Sequence, residues 1–202
     1  MNILDNKLYN RLNTIVDFII LNLLWVLMCL PIVTIFPATA ALFGVVRKWN
    51  MKEEPPILKT YFQLFKDNFF QSMLIGFIWA FVGASLYLDF QLTSKNLLMK
   101  LLLVIIFSIY SITSIYLFPV MVHYKNTSLR IIKNSFFLAI LKPIHLLFAI
   151  LVIISSYIIV SHFPIILIFS ASLTAYLIYM ICYKAFQKAE EINANTIQVK
   201  GS

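Results

Sequence analysis

The chain runs to 202 residues, 61% of them hydrophobic and 12% charged, with a mean hydropathy of +0.90. Soluble domains hold roughly 45–50% apolar and about 25% charged residues, so this composition excludes a water-soluble globule. The net charge of +8 arises from 16 Lys and Arg against 8 Asp and Glu. These basic residues are spread over the short connections between apolar runs and form no block or stripe, which points to membrane topology and away from nucleic acid.

Residues 1–13 form a polar tail that carries Lys7 and Arg11. With the apolar run behind it and Ala38-Thr39-Ala40 further on, the tail mimics a secretory signal, but the run exceeds the roughly 7–15 residues of a signal core and more spans follow. Residues 14–49 therefore read as a membrane segment, apolar from Thr14 to Leu30 and then interrupted by Pro31 and Pro37. Each proline removes a helix donor and disfavours helix at the residue before it. This predicts an unwound corner over Pro31–Phe36 and a new helix over Pro37–Trp49, with Pro37 in its first turn.

After the connection Asn50–Pro56, residues 57–69 place Leu58, Tyr61, Phe62, Phe65 and Phe69 on one face and Lys59, Gln63, Lys66 and Asp67 on the other. Helical periodicity of this kind predicts a helix lying in the headgroup plane. Spans follow at about 70–88, 97–122, 144–160 and 164–183, each near the roughly 20 residues of a bilayer crossing. A second interfacial helix is predicted over 126–142, capped by Asn126 or Thr127 and carrying Arg130, Lys133 and Asn134 on its polar side. Ser161-His162-Phe163 leaves room only for a tight hairpin. The expected architecture is a single all-α integral membrane domain over 1–202: a polytopic bundle of five full spans, or six with a Pro-broken first hairpin, plus two interfacial amphipathic helices.

Lys and Arg set the expected orientation. If the chain goes in and comes back at the Pro31–Phe36 corner, fourteen of the sixteen basic residues fall on the cytoplasmic side; a single crossing over 14–46 leaves twelve there. Both arrangements put the 50–69 and 123–143 connections and the C-terminus in the cytoplasm, and the shortness of each half favours the returning one. The expected location is the bacterial cell membrane, with multiple passes.

Ionisable residues are nearly absent from the spans. Asp17, with Arg11 near it, reads as an interfacial anchor or helix-pairing group, and Asp89, Lys100 and Lys142 sit at span ends within snorkelling reach. Cys29 and Cys182 lie in apolar runs and read as small buried side chains, so no disulfide framework is expected. His123, His145 and His162 are scattered over three connections without ligand spacing, and no nucleophile motif accompanies the serines. Neither a catalytic group, a metal nor a cofactor is expected.

The helix break is the sharper site candidate. Pro31, Thr34, Pro37, Ala38 and Thr39 would present freed carbonyls and a positive helix N-terminus, with Asn22 adding a hydrogen bond. The plainer reading is a kink whose freed backbone is satisfied by neighbouring helices. Gly76, Ala80 and Ala84 recur every four residues, a spacing that permits close helix packing or contact with a partner.

The run LNLLWVLMCLPIVTIFPATAALFGVVRKW, followed by YFQLFKDNFFQSMLIG and YLFPVMVHYKNTSLRIIKNSFFLAILKP, resembles the YesL-like family of bacterial integral membrane proteins, a group defined as a domain of unknown function. The most specific part is Asn22, Trp25, Pro31 and the Pro37-Ala38-Thr39-Ala40-Ala41 run; Phe36 departs from the glycine common there in the family. The resemblance implies a small polytopic protein of the kind often encoded beside sugar ABC importers, solute-binding proteins and glycoside hydrolases, and it carries over no catalytic residues.

The function expected on these grounds is that of a non-enzymatic accessory membrane protein associated with carbohydrate (oligosaccharide) ABC import. It would bind the importer permease subunits through the 57–69 and 126–142 helices, with a homo-oligomer as a further arrangement. The alternative is a small transporter or channel in its own right, with its site at Pro31–Thr39. A membrane-embedded enzyme is disfavoured by the missing acid–base pair.

Overall fold

The computed structural model describes residues 3–53, 55–93, 97–124, 126–141 and 143–200, with side chains described between residues 12 and 187. Lys7, Arg11, Lys95, Lys125, Lys142, Lys188 and Lys200 lie outside the described side chains. The described residues are helical apart from short connections, with no strand among them. The order is α1 (Ile3–Cys29), a 3-10 turn (Ile32–Thr34), α2 (Ile35–Asn50), α3 (Ile57–Leu92), α4 (Leu97–His123), α5 (Ser128–Leu141), α6 (Pro143–His162), a second 3-10 turn (Pro164–Ile166) and α7 (Leu167–Lys200). Six of these described segments are long and apolar enough to cross a membrane: Leu12–Cys29, Ile32–Asn50, Ile57–Leu92, Leu97–His123, Pro143–His162 and Pro164–Gln187.

The first break follows from proline. Pro31 takes an extended conformation, φ −76° and ψ 112°, and the Thr34 N–H closes a turn on the Pro31 carbonyl at 2.9 Å. The interruption is shorter than the expected Pro31–Phe36 corner, because Ile35 and Phe36 are already helical and Pro37 falls inside the first turn of α2, where a missing donor costs nothing. The chain then reverses. The Trp25 indole N–H reaches the Thr39 hydroxyl at 3.2 Å, and the Phe18 and Trp49 rings meet with centroids 5.0 Å apart, so α1 and α2 lie antiparallel.

Helix α2 is the centre of the bundle. Its residues Pro37, Ala38 and Ala40 through Val46 are all buried, and it touches α1, α3, α4 and α7. Apolar on every side from Ala40 to Val46, it has no face for water over that stretch, and Ala38, Ala40, Ala41 and Gly44 let the surrounding helices come close. Leu64 of α3 occupies the space beside Gly44, where an added Cβ would lie 2.9 Å from it. Phe43 stacks on Phe118 of α4 at 6.2 Å. In contrast, α6 buries only Leu146 and Ala149.

One expected boundary is absent. Residues 57–69 and the following span form one continuous helix, α3, of 36 residues. Nothing between them can interrupt the ladder: no Pro or Gly occurs from Ile57 to Ile75, and Asn68 and Ser72 bond back to the Leu64 and Asn68 carbonyls within the helix. At 1.5 Å per residue it is about 54 Å long, well beyond a hydrocarbon core of about 30 Å, so part of it leaves the bilayer or lies strongly tilted. Its first turns also split the expected faces: Ile57, Thr60 and Tyr61 are buried, whereas Leu58 and Phe62 are exposed alongside Lys59, Gln63, Lys66 and Asp67. Helix α7 likewise runs on past Tyr183 to Lys200.

Helices α1 and α7 are tied by a buried polar junction. Asn22, 2% exposed, donates from Nδ2 to the Leu167 carbonyl at 2.8 Å and accepts the Ser172 N–H at 3.3 Å, while the Ser172 hydroxyl donates to the Phe18 carbonyl at 2.8 Å. Asn22→Leu is expected to lower the stability of the detergent-solubilised protein by about 1–2 kcal/mol, since bonds of this kind between membrane helices are worth roughly 0.6–1.7 kcal/mol and a donor is left unpaired. Thermal melts of both proteins check this.

Candidate functional site

The helix break gathers Pro31, Thr34, Pro37, Ala38 and Thr39 as expected of neighbours in sequence, but it turns their polar groups inward. The Thr34 hydroxyl lies 2.5 Å from the Met28 carbonyl and 2.7 Å from that of Pro31, supplying a donor to oxygens that the lost helical turn frees. The Thr39 hydroxyl donates to the Ile35 carbonyl at 2.7 Å and accepts from Trp25. Pro37 and Ala38 are fully buried, and the Ala38 carbonyl also accepts the Tyr61 hydroxyl at 3.2 Å. Outward, the turn shows only hydrocarbon: Leu30 and Ile32 are 73% and 79% exposed, and Val33 is exposed beside them. An apolar tip with committed hydroxyls suits a corner held in lipid.

Asn22 is not part of that corner, because its amide is spent on α7. Asp17 is half-buried on the same helix and is engaged by a partner; Arg11, expected beside it, lies outside the described side chains.

The positive end of α2 is closed by Phe36. Its ring sits where a Cβ on Gly76 would be, 2.1 Å from the Phe36 Cγ, and its centroid is 6.3 Å from that of Phe77. Phe36 is thus a knob and Gly76 its hole. Of the four-residue series Gly76, Ala80 and Ala84, only Gly76 is buried against another helix of this chain; Ala80 and Ala84 are exposed. Helices α3 and α4 meet one step round, at Trp79 and Gly83, because the aromatic groups available on α4 face those positions. The Trp79 indole donates to the Ser114 hydroxyl at 2.7 Å, and the Tyr110 hydroxyl donates to the Trp79 carbonyl at 3.0 Å across Gly83.

A second polar centre was invisible in the sequence. Arg47 near the end of α2, His123 at the end of α4, and Tyr179, Tyr183 and Phe186 on α7 converge. The Arg47 guanidinium lies beside the Tyr179 hydroxyl, and its Nε is buried without a hydrogen-bond partner among the described residues. The same hydroxyl is 3.1 Å from His123 Nδ1, and the imidazole stacks on Phe186 with centroids 4.5 Å apart and meets Tyr124 edge-on at 4.6 Å. Arg47 had counted only as a topogenic charge. It is separated from its partners by more than seventy residues, so no local spacing could reveal the cluster. Chemically it offers one cation and two titratable rings that hold the ends of three helices together; it has the character of a clamp.

The Phe36–Gly76 contact yields a direct test. Gly76→Val is expected to destabilise the protein by about 1–3 kcal/mol through overpacking, and Phe36→Ala in the same chain to recover a large part of that loss. A double-mutant cycle read by thermal unfolding in detergent measures the coupling.

Comparison with known proteins places the chain in a family of unknown function. A family model described as "Protein of unknown function, DUF624" matches residues 18–90, which covers the C-terminal part of α1, the break, α2 and most of α3. The chain is 32% identical over 186 residues to "Uncharacterized protein YteU" of Bacillus subtilis (strain 168), covering 88% of this chain and 84% of that one. It is 28% identical over 178 residues to "Uncharacterized protein YesL" of the same organism, covering 85% of each. No solved structure matches. The likeness to YteU spans nearly the whole length of both proteins and the family model lies on the Pro-broken hairpin, so this chain belongs to the DUF624 family of multi-pass membrane proteins of unknown function.

Proposed function

We propose that the chain is a non-enzymatic accessory protein of the bacterial cell membrane, associated with carbohydrate (oligosaccharide) ABC import and acting by binding the importer's permease subunits. The observation that carries this reading is the use of polar groups. At the helix break, where a transporter of its own would need free hydroxyls and carbonyls, Thr34 and Thr39 are committed to the chain's own backbone and to Trp25. The exposed side of the first turns of α3, with Lys59, Gln63, Lys66 and Asp67 around Leu58 and Phe62, has the mixed polar and apolar character of a protein contact surface. The link to sugar import rests on the family resemblance described above.

The orientation rests on Lys and Arg. The antiparallel α1–α2 pair supports the arrangement in which the N-terminal tail lies on the same side as the basic 50–69 connection, which the cytoplasm favours. The same exposed α3 surface also suits contact between copies of the chain.

Affinity purification in mild detergent, from native host cells grown on a complex polysaccharide, tests the reading. The permease pair is expected to co-elute near one-to-one, and Lys59→Glu with Lys66→Glu is expected to cut recovery several-fold. Thr39→Val should leave recovery intact. Elution as a lone homo-oligomer, together with substrate movement in liposomes that Thr39→Val abolishes, would overturn it in favour of the transporter.

A further inference from the structure

Helix α5 does not simply cover the end of the bundle. Its buried stripe, Ile131, Ser135, Leu138 and Ala139, packs inward, mainly on α4, and its neighbouring face forms one wall of a groove of about 450 Å³ between α3, α4 and α5. Val82, Leu86, Ile106, Ile109 and Phe136 line the groove, and Lys133 is the one charged residue among those lining it. The floor is firmly built: Trp79 and Tyr110, both in the lining, are held by the Ser114 bond and the Trp79 carbonyl bond, and the missing Cβ of Gly83 makes room for the Tyr110 hydroxyl.

Lys133 is exposed, its ammonium 5.8 Å from the centroid of the Phe137 ring, and it has no carboxylate partner among the described residues. Arg130, one turn earlier on α5, is exposed as well. A cation beside a hydrocarbon-lined groove is costly unless an anion compensates it. The complement is a molecule that is apolar along its length and negatively charged at one end. In a membrane of anionic lipids that molecule is at hand, and cationic pockets between membrane helices are where such headgroups settle.

We propose that the α3–α4–α5 groove is a binding site for an anionic phospholipid, with an acyl chain along Val82, Leu86, Ile106 and Ile109 and the headgroup phosphate paired with Lys133. The volume lies within the range of small-ligand sites, about 300–1,000 Å³. A lysine that merely snorkels to the interface would show no headgroup preference, which separates the two roles.

The test is native mass spectrometry of the full chain in detergent with equal amounts of phosphatidylglycerol and phosphatidylcholine of identical acyl chains. The protein is expected to retain phosphatidylglycerol about fivefold over phosphatidylcholine, the increment of one cation near an anionic headgroup. Lys133→Ala should bring the ratio to near parity and Lys133→Arg should preserve it; Ile109→Trp, which fills the groove, should lower retention of both lipids. Lys133 is exposed, so its replacement leaves the fold intact, and a thermal melt verifies this. Inorganic phosphate should neither form an adduct nor compete. Equal retention of the two lipids, a preference that survives Lys133→Ala, or full competition by inorganic phosphate would each overturn the proposal.

Discussion

A proline has no N–H to give, and most of this structure follows from where Pro31 withholds one. The ladder of α1 stops at Cys29, a single 3-10 turn reverses the chain, and α2 comes back along α1 into the middle of the bundle. Helix association in lipid gains little from hydrophobicity, because the tails are as apolar as the side chains; it depends on close approach and on hydrogen bonds. The returning helix supplies both. Its alanines and Gly44 admit α3, α4 and α7, while Thr34, Thr39 and Trp25 absorb the polar groups that the break exposes. Phe36 seated on Gly76 then fixes α3 against the entry to α2.

Polar contacts are rationed in the same way through the rest of the molecule. The Asn22–Ser172 junction ties α1 to α7, Trp79–Ser114 ties α3 to α4, Thr174–Ser156 ties α7 to α6 at 2.8 Å, and the Arg47–Tyr179–His123 cluster gathers the ends of α2, α4 and α7. Each joins two or three helices, and each leaves the outward faces apolar. Among the described residues, Lys59, Gln63, Lys66 and Asp67 stand exposed around Leu58 and Phe62 on α3, and Lys133 borders the groove beside α5.

Much of this was legible in the sequence, because long apolar runs and prolines have few physical outcomes. The later spans and the break after Leu30 follow from hydropathy and the missing donors, and the six-span form of the expected bundle, with its Pro-broken first hairpin, is the one the structure takes. What failed to show had identifiable causes. The amphipathic 57–69 segment and the apolar span after it differ in composition, yet nothing in the backbone separates them, so composition implied two elements where hydrogen bonding makes one. The four-residue spacing of Gly76, Ala80 and Ala84 fits a helix stripe equally well in either rotation, and only the aromatic residues of α4 select the Trp79–Gly83 side. Asn22 was grouped with the break by proximity in sequence, though its partner lies 150 residues away on α7. Arg47 enters the sequence reading as one of the basic residues that set orientation, and Lys133 as part of the polar side of the 126–142 helix; their surroundings come from distant helices and leave no local trace.

The central claim is that α1 and α2 fold back on each other at Pro31. It is tested most directly by short bismaleimide cross-linking of Phe18→Cys with Trp49→Cys, in membranes and with Cys29 and Cys182 replaced by serine or alanine. The two rings touch in the folded hairpin, so rapid intramolecular cross-linking is expected. In a single uninterrupted crossing the same positions would stand about 47 Å apart, beyond the linker's reach. Absence of the cross-link, with both cysteines individually reactive, would contradict the account.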